Sequence, residues 1–334
     1  MKALITAEFD ETQLKRLEGV VQVEYRSWRK TGTVLSEREL STLIRELNSD
    51  ILIVELENVD EEVIRETNLR LIGLCRSDPQ RHVDLNAASL KRVPVIYTPG
   101  RNANAVAELT LALILSLMRR VVAADRLLKA GLEIRDMKDF ITTYNRLQGV
   151  ELRGKTVGII GFGRIGRLVA ERMRCFPVRL LVYDPYVEDK TTEGYGCVKV
   201  ELTDLLRESD IVTLHASITE TSVGMIGEKE ISLMKPSAYL LNLANPLLID
   251  EDALYQALKE GRIAGAGLDV VSDQPVTSSE RFLKLDNVIL TPHIGGNTVE
   301  TVYNHSKMIV DDVFRFLDGK KPIHLLNPEV YADE

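Results

Sequence analysis

The sequence predicts an α/β protein built from two doubly wound parallel sheets, and three observations carry that prediction. Short apolar runs alternate with amphipathic helical stretches along nearly the whole chain. One of those runs, 156–160, turns through Gly161, Gly163 and Gly166 into a helical face of Ile165, Val169 and Met173. Between the two β/α series, residues 102–128 read as largely apolar helix with no strand inside. That is the pattern of a crossover from one sheet to another.

The first series starts with a strand at 3–7. Asp10 and Gln13 then open a helix carrying Leu14 and Leu17, which Gly19 ends. Val21, Val23 and Tyr25 alternate as a half-buried strand. Ser36 and Glu39 form a capping pair ahead of a helix with Leu40, Leu43, Ile44 and Leu47 on one face. Strands follow at 51–54, 71–74 and 95–97, with helices near 61–67 and 84–92. This rhythm makes a small parallel sheet covered by helices. Two helices, 102–117 and 121–128, come next. The stretch 131–150 is polar and loop-rich, and is expected to form an arm over a neighbouring subunit.

The second series opens with the glycine turn, and each glycine has a physical task. Gly161 makes the tight strand-to-helix turn, Gly163 lets backbone amides approach a pyrophosphate, and Gly166 lets the helix lie close on the sheet. The helix N-terminus adds partial positive charge for the diphosphate. A strand at 180–183 ends at Asp184, about 20 residues on, where an acid accepts hydrogen bonds from a ribose diol and repels a 2′-phosphate. Strands at 198–200, 211–214, 239–243, 265–270 and 288–290 continue the series, with helices near 202–208, 228–234 and 251–260. A parallel series of this kind, with the glycine turn after its first strand, makes the Rossmann-like dinucleotide fold. A last helix, 298–317, is long enough to return to the first sheet. The expected division is therefore a discontinuous substrate domain, 1–101 with 294–334 and flavodoxin-like, and an inserted NAD-binding domain, 102–293.

Bulk properties narrow the function. A chain of 334 residues holds about two domains with proper cores. Its net charge of −8 argues against nucleic acid or an anionic membrane as main partner, and leaves a small-molecule substrate. Cys75, Cys175 and Cys197 have no metal-ligand or CxxC spacing, which fits a reduced, cytoplasmic location. Cys75 reads as a buried, inert thiol. The N-terminus lacks the basic head of a signal peptide, and the most apolar run, 109–118, is too short to span a bilayer.

Several stretches resemble the D-isomer-specific 2-hydroxyacid dehydrogenases: AVAELTLALILSLMRR, GKTVGIIGFGRIGRLVAERM, SDIVTLHASITETSVGMIG, IAGAGLDVV and NVILTPHIGGNT. The resemblance implies two doubly wound domains, NAD as cofactor and oxidation or reduction at the CH–OH carbon of a small acid. It also implies residue roles. His293, in TPHIGG, matches the acid–base histidine. Gly163, Arg164, Ile165 and Asp184 match the pyrophosphate and ribose contacts, Ala216 and Leu243 lie at strand ends facing the dinucleotide, and Asp269 matches the nicotinamide anchor. Asn102, in PGRN, matches an asparagine that binds substrate. A homodimer is expected.

Two charged positions depart from the family pattern. Where it reads N-x-A-R-G, this chain has Asn242, Leu243, Ala244, Asn245 and Pro246; where it has E-P, this chain has Gln274 and Pro275. The arginine that grips the substrate carboxylate and the glutamate that supports the histidine are both replaced. The family's glycine-rich substrate loop is here Arg76, Ser77, Asp78 and Pro79, so side chains are expected to replace backbone amides, with Arg76 as anion clamp. Asn245 and Gln274 remain as neutral substitutes. The expected substrate is non-standard, a sugar acid or polyol derivative. The alternative is an NAD-binding sensor with little turnover. His215, His305 and His324 are expected to be structural or solvated.

Overall fold

The computed structural model describes residues 1–77, 82–273 and 275–332, and divides into two compact units, Met1–Asn102 with Asn297–Glu334, and Ala103–Gly296. Gln274, Asp78 and Pro79 lie outside the described residues.

The first unit holds β1 (Lys2–Ile5), β2 (Gln22–Tyr25), β3 (Ile51–Val54), β4 (Leu71–Leu74) and β5 (Val95–Tyr97), all parallel, in the order β2-β1-β3-β4-β5. Every residue of β3 and β4 is buried, which is why these strands read as unbroken apolar runs rather than alternating ones. Successive residues serve opposite faces. Leu4, Leu52 and Ile72 pack with Leu40 and Ile44 on one face, while Ala3, Ile5 and Ile53 pack with Leu17, Ile309 and Val313 on the other. The last two belong to the helix Val299–Leu317, so the C-terminal helix completes this core. Ser36 and Glu39 form the reciprocal capping box at the helix Glu37–Leu47. Such caps contribute about 1 kcal/mol.

The second unit holds β6 (Thr156–Ile160), β7 (Arg179–Tyr183), β8 (Val198–Lys199), β9 (Ile211–Leu214), β10 (Tyr239–Asn242), β11 (Gly265–Leu268) and β12 (Val288–Leu290). Their order is β12-β11-β10-β9-β6-β7-β8, again all parallel. The edge strand β8 has two residues against the three expected at 198–200. The chain leaves β6 toward β7 on one side and returns to β9 on the other. That reversal opens a crevice beyond the carboxyl ends of β6 and β9, where open α/β sheets bind ligands.

Residues 131–150 differ from the loop-rich expectation, because Met137–Arg146 is a helix. Asp136 caps it, accepting from the Asp139 amide at 2.8 Å, and Met137, Phe140, Ile141 and Tyr144 follow at i, i+3, i+4 and i+7. That stripe is exposed to solvent, with Phe140 and Tyr144 stacked at 5.7 Å. Among the described residues no helix is long and apolar enough to cross a membrane.

Candidate active site

The cofactor crevice is built from the residues that follow β6, β7 and β9. Gly161 has φ +89°, and an added Cβ would lie 2.5 Å from the backbone nitrogen of Ala216, so only glycine lets the two strand ends approach. Gly166 would place a Cβ 2.2 Å from the Gly161 carbonyl oxygen, which brings the helix Arg164–Met173 down onto the sheet. Gly163 differs: an added Cβ meets no protein atom within 4 Å, so its neighbouring space is open. Arg164 and Ile165 form the first turn of that helix.

Asp184 does more than the sequence suggested. Its Oδ2 accepts from the Phe162 amide at 2.7 Å and its Oδ1 from the Tyr186 amide at 2.9 Å, tying the glycine loop to the end of β7. A carboxylate has about four acceptor sites, so two remain for a ribose diol. Gly161, Gly163, Asp184 and Ala216 line one cavity of about 210 Å³ with His215, Ser217, Thr219 and Thr221. Neither Lys nor Arg occurs in that lining. Of the two roles expected for it, structural or solvated, His215 takes the structural one as part of this wall. Burial pushes its pKa down to about 3; Nε2 meets the Thr213 hydroxyl at 3.0 Å and Nδ1 has no partner among the described residues. Leu243 is buried just past β10. An open glycine at a helix N-terminus, a carboxylate on the wall and an orphaned imidazole nitrogen together fit a dinucleotide.

The histidine turn follows β12. His293 has φ +55°, the left-handed region that side-chain-bearing residues seldom occupy. Its amide donates to the carbonyl oxygens of Asp269 and Thr291, both at 3.0 Å. The buried Asp269 carboxylate accepts from the Thr291 hydroxyl (2.6 Å) and the amides of Ile294 (2.8 Å) and Gly295 (2.7 Å). Asp269 is thus the organiser of the turn that presents the exposed His293 ring. Strained backbone held this firmly is common where geometry serves chemistry.

The Asn245 loop is held by its neighbours. Asn242 accepts from the Ala244 amide at 3.1 Å and donates to the Asn245 carbonyl at 2.8 Å, while Asn245 Oδ1 caps the Leu247 amide at 3.0 Å. The Asn245 side-chain nitrogen has no partner among the described residues.

In the first unit, Ser77 donates to Asn102 Oδ1 at 3.2 Å, and Arg76 Nε donates to the Glu55 carbonyl. Burial, then the neighbouring Arg101, lowers the Arg76 pKa. Sequence reasoning missed Arg101 itself. Its Nη1 donates to Glu55 Oε1 at 2.7 Å and to His305 Nδ1 at 2.6 Å; His305 Nε2 in turn donates to the Glu8 carbonyl at 2.7 Å. His305 is accordingly a buried member of an ionic cluster, its pKa pulled to about 4 by burial and by Arg101. Burial pushes the Glu55 carboxyl up, yet Arg101 and its hydrogen bonds hold it below its usual value. The only hint in the sequence was an arginine beside Asn102 and a glutamate at a strand end. Cys75 is fully buried, and burial raises its pKa well above the ordinary thiol value, so it is inert.

The D-isomer specific 2-hydroxyacid dehydrogenase, NAD binding domain, matches residues 111–295. A Bacillus subtilis protein, YoaD, provisionally described as a 2-hydroxyacid dehydrogenase, is 36% identical over 328 residues, covering 97% of this chain and 93% of its own. The chain belongs to the D-isomer specific 2-hydroxyacid dehydrogenases. A glyoxylate reductase of Thermococcus litoralis is 34% identical over 335 residues, 98% of this chain and 97% of that enzyme. The crystal structure of a Thermus thermophilus protein superposes with a TM-score of 0.86 at 31% identity, covering 98% of this chain and all of that one. As a member of this dehydrogenase family the protein is an NAD-dependent oxidoreductase.

Proposed function

We propose that the enzyme oxidises or reduces the CH–OH carbon of a non-standard hydroxylated substrate, a sugar acid or polyol derivative. The observation that carries this reading is Asn245. Its carbonyl oxygen already caps the Leu247 amide, so the group left for a substrate is a neutral donor. Such a donor suits a hydroxyl or carbonyl oxygen and cannot neutralise an anion. The loss is large, since charge-assisted bonds contribute about 1.5–3 kcal/mol each.

NAD supplies the hydride acceptor when bound. His293 takes the hydroxyl proton during oxidation and returns it during reduction, with Gln274 orienting the ring. Asn245, Arg76, Ser77, Asp78 and Asn102 hold the substrate. Gly161, Gly163, Arg164, Ile165 and Gly166 receive the diphosphate, Asp184 the ribose, Ala216 and Leu243 the dinucleotide's flank, and Asp269 the carboxamide. The exposed stripe Met137, Phe140, Ile141 and Tyr144 supports a homodimer through this segment, as an apolar face of that kind favours cover. Sedimentation as a monomer would remove that assignment.

Incubation with NAD and a panel of hydroxy acids, sugar acids and polyols, read by NADH absorbance, tests the reading. NADH formation from a sugar acid or polyol at a higher kcat/KM than from glycolate supports it. Tight NAD binding without turnover across the panel would favour the second reading, an NAD-binding sensor, to which the loss of both charged partners already points.

A further inference from the structure

We propose that Arg101 is the cation that grips the substrate carboxylate, with Arg76 beside it, in place of the arginine missing at Asn245; the assignment rests on the acid form of the substrate proposed above. Arg101 is held by one corner. Both of its partners, Glu55 Oε1 and His305 Nδ1, share the single nitrogen Nη1, at 2.7 and 2.6 Å. Its Nε is buried and has no hydrogen-bond partner among the described residues. Guanidinium binds carboxylate through two parallel N–H groups. With Nη1 taken, the fork that remains is Nε with Nη2.

The surroundings distinguish this from an ordinary buried ion pair. A pair built only for structure would satisfy the donors of its arginine, since an orphaned buried N–H is destabilising. Arg76 adds a second guanidinium within the field of the first, and its own Nε is already spent on the Glu55 carbonyl. Glu55 and Glu57 are the carboxylates in the field of Arg76, and Glu55 is bonded to Arg101 through Nη1 alone, which leaves the Nε–Nη2 fork to a ligand carboxylate. Their position agrees. Glu55 follows β3, Arg76 follows β4 and Arg101 follows β5, neighbouring strands of a parallel sheet, at the carboxyl ends where such sheets take ligands. The imidazole of His305, kept neutral, accepts from Arg101 without cancelling its charge.

Trp28 provides a reporter. It is the only tryptophan in the chain, and its indole N–H donates to Glu55 Oε2 at 3.0 Å. In the NAD-loaded protein, glycolate should change Trp28 fluorescence, and glycolamide, its neutral analogue, should bind at least about 10-fold more weakly. Arg101→Lys keeps the charge beside Glu55 but loses the fork, and should cut that discrimination to about threefold or less. A merely structural Arg101 would weaken both ligands together and leave their ratio intact, which overturns the proposal, as does a wild-type protein whose Trp28 ignores glycolate. If Arg101→Lys does not fold, Glu55→Gln decides: removing the counter-ion should tighten glycolate by about threefold or more, and weaker binding overturns the assignment. NADH is followed in the same samples. Discrimination without NADH formation from any panel compound sinks the dehydrogenase reading alone; turnover whose KM ignores Arg101→Lys sinks the Arg101 assignment alone.

Discussion

Gly161 and Gly163 stand in one short loop, yet alanine should act on them through different physics. At Gly161 the backbone has φ +89°, and the new Cβ would lie 2.5 Å from Ala216 N and 2.6 Å from both Ala216 Cα and His215 C. These are backbone atoms of the adjoining strand end, which cannot swing aside as a side chain would. The left-handed conformation costs about 1–2 kcal/mol and the overpacking about 1–3 kcal/mol more. A loss of ~3 kcal/mol lowers the melting temperature of a unit this size by roughly 6–12 °C. At Gly163, φ is −73° and no atom lies within 4 Å of the added methyl. Gly163→Ala should therefore cost at most about 1 kcal/mol, the difference between glycine and alanine at a helix N-cap. Its penalty should appear with cofactor, as a Kd for NAD raised by about 10-fold or more and a smaller NAD-induced rise in melting temperature. Differential scanning fluorimetry with and without NAD, plus an NAD titration, separates the two. The reasoning is refuted if Gly163→Ala melts as low as Gly161→Ala without cofactor, or binds NAD like the wild type.

Asp269→Asn should unfasten the histidine turn: the amide places a donor where a carboxylate oxygen received an amide N–H, losing at least one charge-assisted bond and opposing two donors. We expect a loss of about 3 kcal/mol, a melting temperature lower by roughly 6–12 °C and a kcat that falls with it; a variant melting within about 2 °C of wild type would contradict the account. Acid should destabilise both units. Burial holds the folded-state pKa values of His215 and His305 down to about 3 and about 4, below the ordinary histidine value of 6.5, so the unfolded chain takes up protons first as pH falls. Each contributes stability that is complete above about pH 6.5 and lost toward those lower values, ~2 kcal/mol apiece between about pH 7 and pH 5. The lowered carboxyl of Glu55 adds in the same direction only below about pH 4.5, and urea unfolding between about pH 7 and pH 5 would reject the histidine account if stability stayed flat.

The fold was legible because its determinants are local. The runs at 51–54, 71–74 and 95–97 coincide with β3, β4 and β5, since a strand buried on both faces must be apolar throughout. The helix Met137–Arg146 was missed, although Asp136 and the i, i+3, i+4, i+7 stripe mark it, because its polar flanks read as loop and its stripe stays exposed. The cofactor crevice is likewise close to local, with Gly161 to Asp184 inside one βαβ unit. The ionic cluster of the first unit is the opposite case. Arg101 meets Glu55 across 46 residues of sequence and His305 across 204, and no spacing rule connects them. What the chain announces in order is the part that holds NAD, because strand, turn and helix must be consecutive to make that crevice. What it assembles from distant segments is charge, since a carboxylate or guanidinium needs only proximity in space. The charge of the first unit is therefore written in the second kind of residue, and Asn245, neutral and capped onto its own loop, is where the local pattern stops being a guide.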